Sequence, residues 1–252
     1  MSNAIMETFA IDNGEHLRAS YDDWGWVLNN PHDCIGDPVK QSSVVTVPFG
    51  KTYDLADELV GFPFFTGRTI TLKLGVKLSY FNQINSSSYS WREYISEIRN
   101  YYEGQNVELY FDNEYTPGTT WWYSGRAFIR NFSATRDLGT FDFVIEALPY
   151  KELSTWQSES IVYSPNTIRV SSPYATPIYF WGTVNSATTF TIKYPDTHTR
   201  TGKTISYTLA AGVYDDYALP GFYALGGDDY CEITVSGNVV SGSKIRYLLR
   251  SL

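Results

Sequence analysis

Cysteine is nearly missing from this 252-residue chain: there are two, Cys34 and Cys231. That excludes a disulfide scaffold and any CxxC or Cys/His metal cluster, and points to reduced thiols in a cytosolic assembly site. Histidine is almost as scarce, with His16, His32 and His198. None has Ser, Cys or Asp partners at a recognisable catalytic spacing, and His32-Asp33-Cys34 reads as a loop rather than a metal site. No GxSxG elbow occurs. No apolar run approaches the ~20 residues of a membrane-spanning helix. The start, MSNAIMETFAIDNG, lacks the basic region and apolar core of a secretory leader. The sequons at Asn85 and Asn131 therefore carry little weight. No basic run exists either, which argues against broad contact with a nucleic-acid duplex.

Two further motifs fail on their chemistry. TGKT (201–204) looks like the tail of a phosphate-binding loop, but the first glycine of that motif falls at Thr197 and Lys203 opens a strand-like run. A phosphate cradle needs both the glycine and a helix terminus. Asp215-Asp216 and Asp228-Asp229 are adjacent pairs, which extended chain points to opposite sides. A glycosidase needs two carboxylates facing one bond, so these read as turn acids. The expectation is a protein that is not an enzyme and takes no cofactor and no metal.

What the chain does have is aromatic side chains: 21 Tyr, 14 Phe and 7 Trp, 17% of the residues, against only 18% charged. That balance favours pleated structure and large buried interfaces. The charge that exists is uneven. Residues 1–150 hold 11 Lys/Arg against 19 Asp/Glu, and residues 151–252 hold 8 of each, so the whole net charge of −8 lies in the first part. Such asymmetry indicates two units.

Periodicity then places the elements. YDDWGWVLNNP (21–31) sets two tryptophans around Gly25 before a turn, SSVVTVPFG (42–50) is a short strand stopped by Pro48, and TYDLADELVG (52–61) is a loop or one helical turn. RTITLKLGVKLSY (68–80) alternates strictly, with Ile70, Leu72, Leu74, Val76 and Leu78 on one face. QINSSSYS (83–90) reads as a polar loop. SWREYISEIRNYYEGQ (90–105) changes period: Trp91, Tyr94, Ile95, Ile98, Tyr101 and Tyr102 form one helical stripe. Ser90 and Glu93 make a capping box, and Gly104 ends the helix. Strands follow at 106–111, 121–132 and 138–147, with turns at 113–118 and 134–137. In TFDFVIEALPYKEL (140–153) the alternation stops at Pro149, which has no N–H for a sheet ladder. Beyond it come short β-rich runs at 166–172, 177–184, 188–194, 203–209, 230–237 and 243–250, separated by turn signals such as Leu219-Pro220-Gly221.

The predicted fold is therefore mainly β. Residues 1–149 form an α+β antiparallel-sheet domain with one packed helix, and residues 150–252 form a β-sandwich. On the sandwich, Trp156, Tyr174, Tyr179, Trp181 and Tyr223 are candidates for stacking on sugars or meeting a partner; the alternative is that they fill the core or a protein interface.

Several segments, in order, carry a resemblance across the chain: YDDWGWVL (21–28), VVTVPFGKTYDLADELVGFPFFTGRTITLKL (44–74), WREYISEIRNYYEGQNVELYFD (91–112), WWYSGRAFI (121–129) and LGTFDFVIEALPYKE (138–152). The set resembles the distal tail (Dit) protein family of long, non-contractile-tailed bacteriophages, especially those of Gram-positive hosts. The match spans nearly all of 1–152 and is looser beyond, where it rests on size and strand content. The resemblance implies a structural virion protein at the distal tail tip or baseplate, assembled in the host cytoplasm. It implies a homo-hexameric ring, singly or stacked, built by the N-terminal domain. Its partners would be the major tail or tube protein, a tail-associated lysin or hub protein, and a receptor-binding or baseplate protein. DNA would pass through the lumen without specific binding, and no membrane would be entered. The C-terminal domain would be galectin-like or carbohydrate-module-like, in the compact form without an extended-arm insertion. Carboxylates lining the lumen would repel phosphates. The strands at 70–78 and 121–132, with the aromatic segment 21–26, are expected to offer free edge and apolar surface that a closed ring would bury. Trp24, Trp26, Arg68, Leu72 and Leu74 are expected at or under that interface. The competing expectation is a carbohydrate-binding adhesion protein that recognises host wall sugars through the sandwich.

Overall fold

A computed structural model describes residues 8–31, 33–41, 44–46, 52–54, 64–111, 120–162, 166–195, 203–225 and 230–251. His32, His198, Pro48, most of 52–61, the turn at 113–118, Thr197 with Gly202, and Asp228-Asp229 lie outside these residues. The chain divides into two compact units, one from 1–40 and 65–151, the other from 41–64 and 152–252. This differs from a single boundary after residue 149.

The first unit is built on a large antiparallel sheet. Its strands are β1 (Phe9–Asp12), β2 (Leu17–Ala19), β3 (Trp26–Leu28), β7 (Phe64–Lys77), β8 (Asn106–Phe111), β9 (Trp121–Thr135) and β10 (Leu138–Ala147), in the order β2-β1-β8-β9-β10-β7-β3. A short β4 (Val39–Gln41) also pairs with β7; the hairpin of β5 (Val44–Thr46) with β6 (Thr52–Asp54) belongs to the second unit, and β11 (Lys151–Leu153) is a short strand after β10. The alternation read from 68–80 sets the register. Ile70, Leu72 and Leu74 pair with Ile145, Phe143 and Phe141, and all six are buried. The β9–β10 hairpin closes through Arg136-Asp137, with Arg136 at φ +49.

The sheet curls. Its two outermost strands, β2 and β3, are joined by residues 20–25 alone. Seven strands laid flat would hold those edges about 29 Å apart, beyond the reach of so short a turn-rich link. The curl brings Trp26 N within 2.8 Å of the Ser20 carbonyl, to which it donates, and stacks Phe9 on Trp26 at 6.2 Å. β7 and β9 therefore are not free edges, as the sequence reading had them: β10 lies on one side of each, with β3 and β4 or β8 on the other. Alternation marks which face of a strand is apolar, but does not tell an inner strand from an edge.

Two helices follow β7. α1 (Leu78–Ile84) is a seven-residue helix where strand and loop were expected. Lys77, at its N-cap, makes no side-chain cap; instead Asp137 accepts from Ser79 N and Oγ at 2.8 and 2.7 Å. That substitute comes from 58 residues away, so no local signal shows it. α2 (Trp91–Tyr102) matches its expected stripe, burying Tyr94, Ile95, Ile98 and Tyr102. Its capping box is formed: Glu93 N donates to Ser90 Oγ at 3.5 Å, and Ser90 N to Glu93 Oε2 at 2.7 Å. Gly104 adopts φ +75 just beyond the helix. α2 packs on the core face of the sheet through a polar seam between aromatics. Trp24 Nε1–H donates to Tyr102 Oη at 3.0 Å, and Trp26 Nε1–H to Tyr94 Oη at 2.7 Å. Buried indole N–H groups need such partners.

The second unit has two four-stranded antiparallel sheets. One runs β12-β19-β14-β17, made of Gln157–Ser160, Lys244–Tyr247, Thr176–Val184 and Gly212–Ala224. The other runs β13-β18-β15-β16, made of Asn166–Val170, Cys231–Ser236, Thr188–Lys193 and Thr204–Leu209. Phe180 and Ile245 from the first and Phe190, Ile192 and Ile233 from the second share one core. Six of these strands follow the β-rich runs. β17 does not: it runs for 13 residues through both Asp215-Asp216 and Leu219-Pro220-Gly221, which read as turns. As an edge strand it tolerates a proline without an N–H.

Candidate interaction surfaces

The five side chains expected at or under a ring interface are all buried within the first unit. Trp24 and Trp26 form the seam with α2, and Leu72 and Leu74 face the core between sheet and helix. These four bear on an interface only from beneath. Arg68 is the exception in chemistry. It ends the same inward row of β7 but is only 6% exposed. Its guanidinium lies 5.6 Å from the Tyr123 ring centroid, and Nε and Nη2 have no hydrogen-bond partner among the described residues. A charge kept so dry is costly unless matched.

Two of the concavities on this unit carry exposed apolar side chains. The larger, of about 960 Å³, is lined by Arg68, Arg126, Asp12, Glu108 and Glu146, with Val39 and Leu148 on its wall. Glu146 sits opposite Arg126 in the ladder, and Glu108 accepts a hydrogen bond from Tyr110 Oη. Val39 and Leu148 are exposed apolar side chains, which leaves a surface suited to a protein neighbour. The second, of about 580 Å³, has three glycines, Gly25, Gly75 and Gly139, beside Val27, Tyr80 and the exposed Leu138. A side chain at Gly139 would meet the Trp91 ring at 2.6 Å, so this glycine is required by packing.

On the second unit, Trp156, Tyr179 and Trp181 share one sheet face turned away from the core. Ile178 and Phe180, which alternate with Tyr179 and Trp181 on β14, point inward. Trp156 meets Tyr179 edge-on at 5.2 Å. Tyr223 is half-buried and packs on the core, its N–H donating to Tyr194 Oη at 3.2 Å. Tyr174 is half-buried in the segment before β14. Sequence reasoning did not find Arg246, whose Nη1 donates to both carboxylate oxygens of Asp216 at 2.7 and 2.9 Å and whose guanidinium lies 4.6 Å from the Trp156 ring centroid. Arg250 pairs similarly with Glu152 at 2.6 Å. Among the described residues no group of three or more His, Cys, Asp or Glu converges to hold a metal, and no helix is long and apolar enough to cross a membrane.

Neither feature names a partner, but the architecture has a known counterpart. The crystal structure of the SPP1 Dit (gp 19.1) protein, a paradigm of the hub adsorption apparatus in Gram-positive infecting phages, is similar over 97% of this chain and 99% of that one. The TM-score is 0.53 and the sequence identity 10%. The chain has the fold of SPP1 Dit. At 10% identity the likeness to Dit is one of fold, and it extends over both units. No family model and no curated protein matches the sequence. The mainly β expectation holds, with a second short helix added to the first unit and an aromatic face added to the second.

Proposed function

We propose that this chain is a structural hub protein of a phage tail tip, acting by assembly and not by catalysis. The observation that carries the reading is the Dit-like fold across nearly the whole of both chains, with both units accounted for. In this reading the first unit closes a homo-hexameric ring between tail tube and baseplate. The second unit anchors receptor-binding or baseplate proteins. The exposed Val39, Leu148 and Leu138, which line two of the concavities, supply apolar surface for neighbours. Head-to-tail contacts that close by rotation bury such surface without leaving a free end.

The charge pattern refines the lumen. Outward positions of the sheet alternate in sign, with Arg126 opposite Glu146 and Arg130 opposite Asp142. That face repels a polyanion only weakly, so carboxylates that keep DNA moving belong elsewhere on the ring. Light scattering behind a sizing column tests the assembly. A mass six-fold the 28.6 kDa subunit, or twice that, supports the ring. A monomer at every concentration, also when mixed with the tube and hub proteins of the same tail, removes it.

A further inference from the structure

Trp181 poses a problem that the hub reading leaves open. It lies on β14, an inner strand paired on both sides, yet it is 40% exposed. Among the described residues its side chain makes no ring contact and no hydrogen bond. An isolated apolar residue on a surface needs no explanation. This one has charged residues as cross-strand neighbours on both flanking strands. Lys244 is its cross-strand neighbour on β19, and Arg246 stands opposite Tyr179 one pleat along. On the other side, the ladder passes from Phe180↔Tyr217 to Gly182↔Tyr214, so Asp215 and Asp216 together oppose Trp181.

That two-against-one step is a β-bulge, a device that re-aims a side chain. Asp216 in the bulge adopts φ +45, a left-handed conformation that costs a non-glycine residue and persists where its surroundings enforce it. The gain is aim: the Asp216 carboxylate is locked to Arg246 Nη1. Trp156 stacks against the same guanidinium and braces Tyr179. Both bonds to Asp216 come from Arg246 Nη1, which leaves further N–H donors on a guanidinium that is held in place.

A flat apolar ring beside rigid donors and acceptors matches an amphipathic ligand of the same layout. A pyranose has an apolar C–H face and a rim of hydroxyls that both give and accept hydrogen bonds. Adjacent hydroxyls fit a carboxylate next to a guanidinium. A phosphate polymer fits poorly, because Asp215 and Asp216 offset Lys244 and Arg246. A peptide cannot add as a strand at Trp181, since both ladders of β14 are taken. We propose that this sheet face is a binding site for a neutral sugar, with Trp181 stacking on the ring and the Asp216–Arg246 pair bonding two neighbouring hydroxyls. The inference rests on the second unit alone and stands whether or not the first unit forms a ring.

The test is titration calorimetry of the full chain against four neutral tetrasaccharides, built from glucose in α and β linkage, galactose, and N-acetylglucosamine. At least one is expected to bind saturably. Trp181→Ala is expected to weaken that binding at least tenfold, and Asp216→Asn to weaken it as well. Amide-exchange protection of β14 and β19 should be unchanged in Trp181→Ala, which ties the loss to contact and not to folding. Failure of all four sugars up to about 10 mM overturns the proposal, as does binding that Trp181→Ala leaves intact. Uptake of polyphosphate with no neutral sugar bound also overturns it.

Discussion

The two units use their aromatic residues in opposite ways. In the first, rings face inward and are joined by hydrogen bonds: Trp24 to Tyr102, and Trp26 to Tyr94. Trp26 alone lies within 6.2 Å of Phe9, Trp24, Tyr102, Phe141 and Phe143. In the second, the core is mainly aliphatic around Phe180, Phe190 and Phe222, while Trp156, Tyr179 and Trp181 stand outside it. A curled sheet folded on a helix leaves an irregular interior, and large rings with polar tips fill it while their N–H and O–H groups find partners. Two facing sheets leave a thin, regular gap that branched aliphatics fill well, so aromatics on the outer face are free for other work. A single figure for aromatic content thus covers a structural use and an interaction use.

The sharpest way to break this contrast is Trp26→Ala. The truncation removes the ring at the centre of the first unit's cluster and strips Tyr94 Oη of its donor. A loss of about 3–5 kcal/mol is expected for that unit. Hydrogen exchange should show protection falling throughout α2 and β7, while amides of β14 and β15 keep theirs. Equal loss in both units would mean that they do not fold as separately as their cores suggest.

Tyr94→Phe isolates the polar part of the same seam. The ring stays and the hydroxyl goes, which leaves the buried Trp26 N–H unsatisfied. The expected cost is about 1–3 kcal/mol, read as exchange protection in α2. Burial holds the Tyr94 hydroxyl far above the ordinary tyrosine range, so it stays protonated and the seam does not loosen at moderately alkaline pH.

How much of this was legible beforehand follows from the range of each interaction. The rows Ile70-Leu72-Leu74 and Phe141-Phe143-Ile145 were visible because strand alternation repeats every two residues. The Ser90–Glu93 capping box was visible because it spans one helical turn. The cap that Asp137 gives α1 was not, because it arrives from another element. Nor was the curl, which fixes that β7 and β9 are inner strands and so removes the edges expected there. On the second unit the aromatic candidates were readable as residue types. The bulge that turns Asp215-Asp216 from apparent turn acids into a strand feature facing Trp181 depends on a partner strand, and so does the Arg246 contact.

A smaller effect tests the local signal itself. Ser90→Ala should cost about 0.5–2 kcal/mol, seen as fraying of the first turn of α2. The bonds from Ser90 N and Oγ hold the Glu93 carboxyl below its ordinary range. A carboxylate with a lowered folded pKa contributes stability above its unfolded pKa and loses it as pH falls through the folded value. The difference in melting temperature between wild type and Glu93→Gln should therefore be present near neutral pH and vanish on acidification. A difference that persists at low pH would place the effect in packing.

The smallest change in stability belongs to the residue with the largest proposed change in binding. Trp181 touches no other ring and makes no hydrogen bond among the described residues, so its removal opens no cavity in the core. Trp181→Ala should move the unfolding free energy by no more than about 0.5 kcal/mol, as for an ordinary surface site. Denaturant midpoints of wild type and variant decide it, set against the several-fold larger cost of Trp26→Ala on the same scale. A loss near that of Trp26 would make Trp181 a packing residue, and the outer face would then be a second structural use of aromatics. A negligible loss leaves the ring's exposure without a folding reason, and a ligand that it contacts becomes the physical account of why a tryptophan stands there.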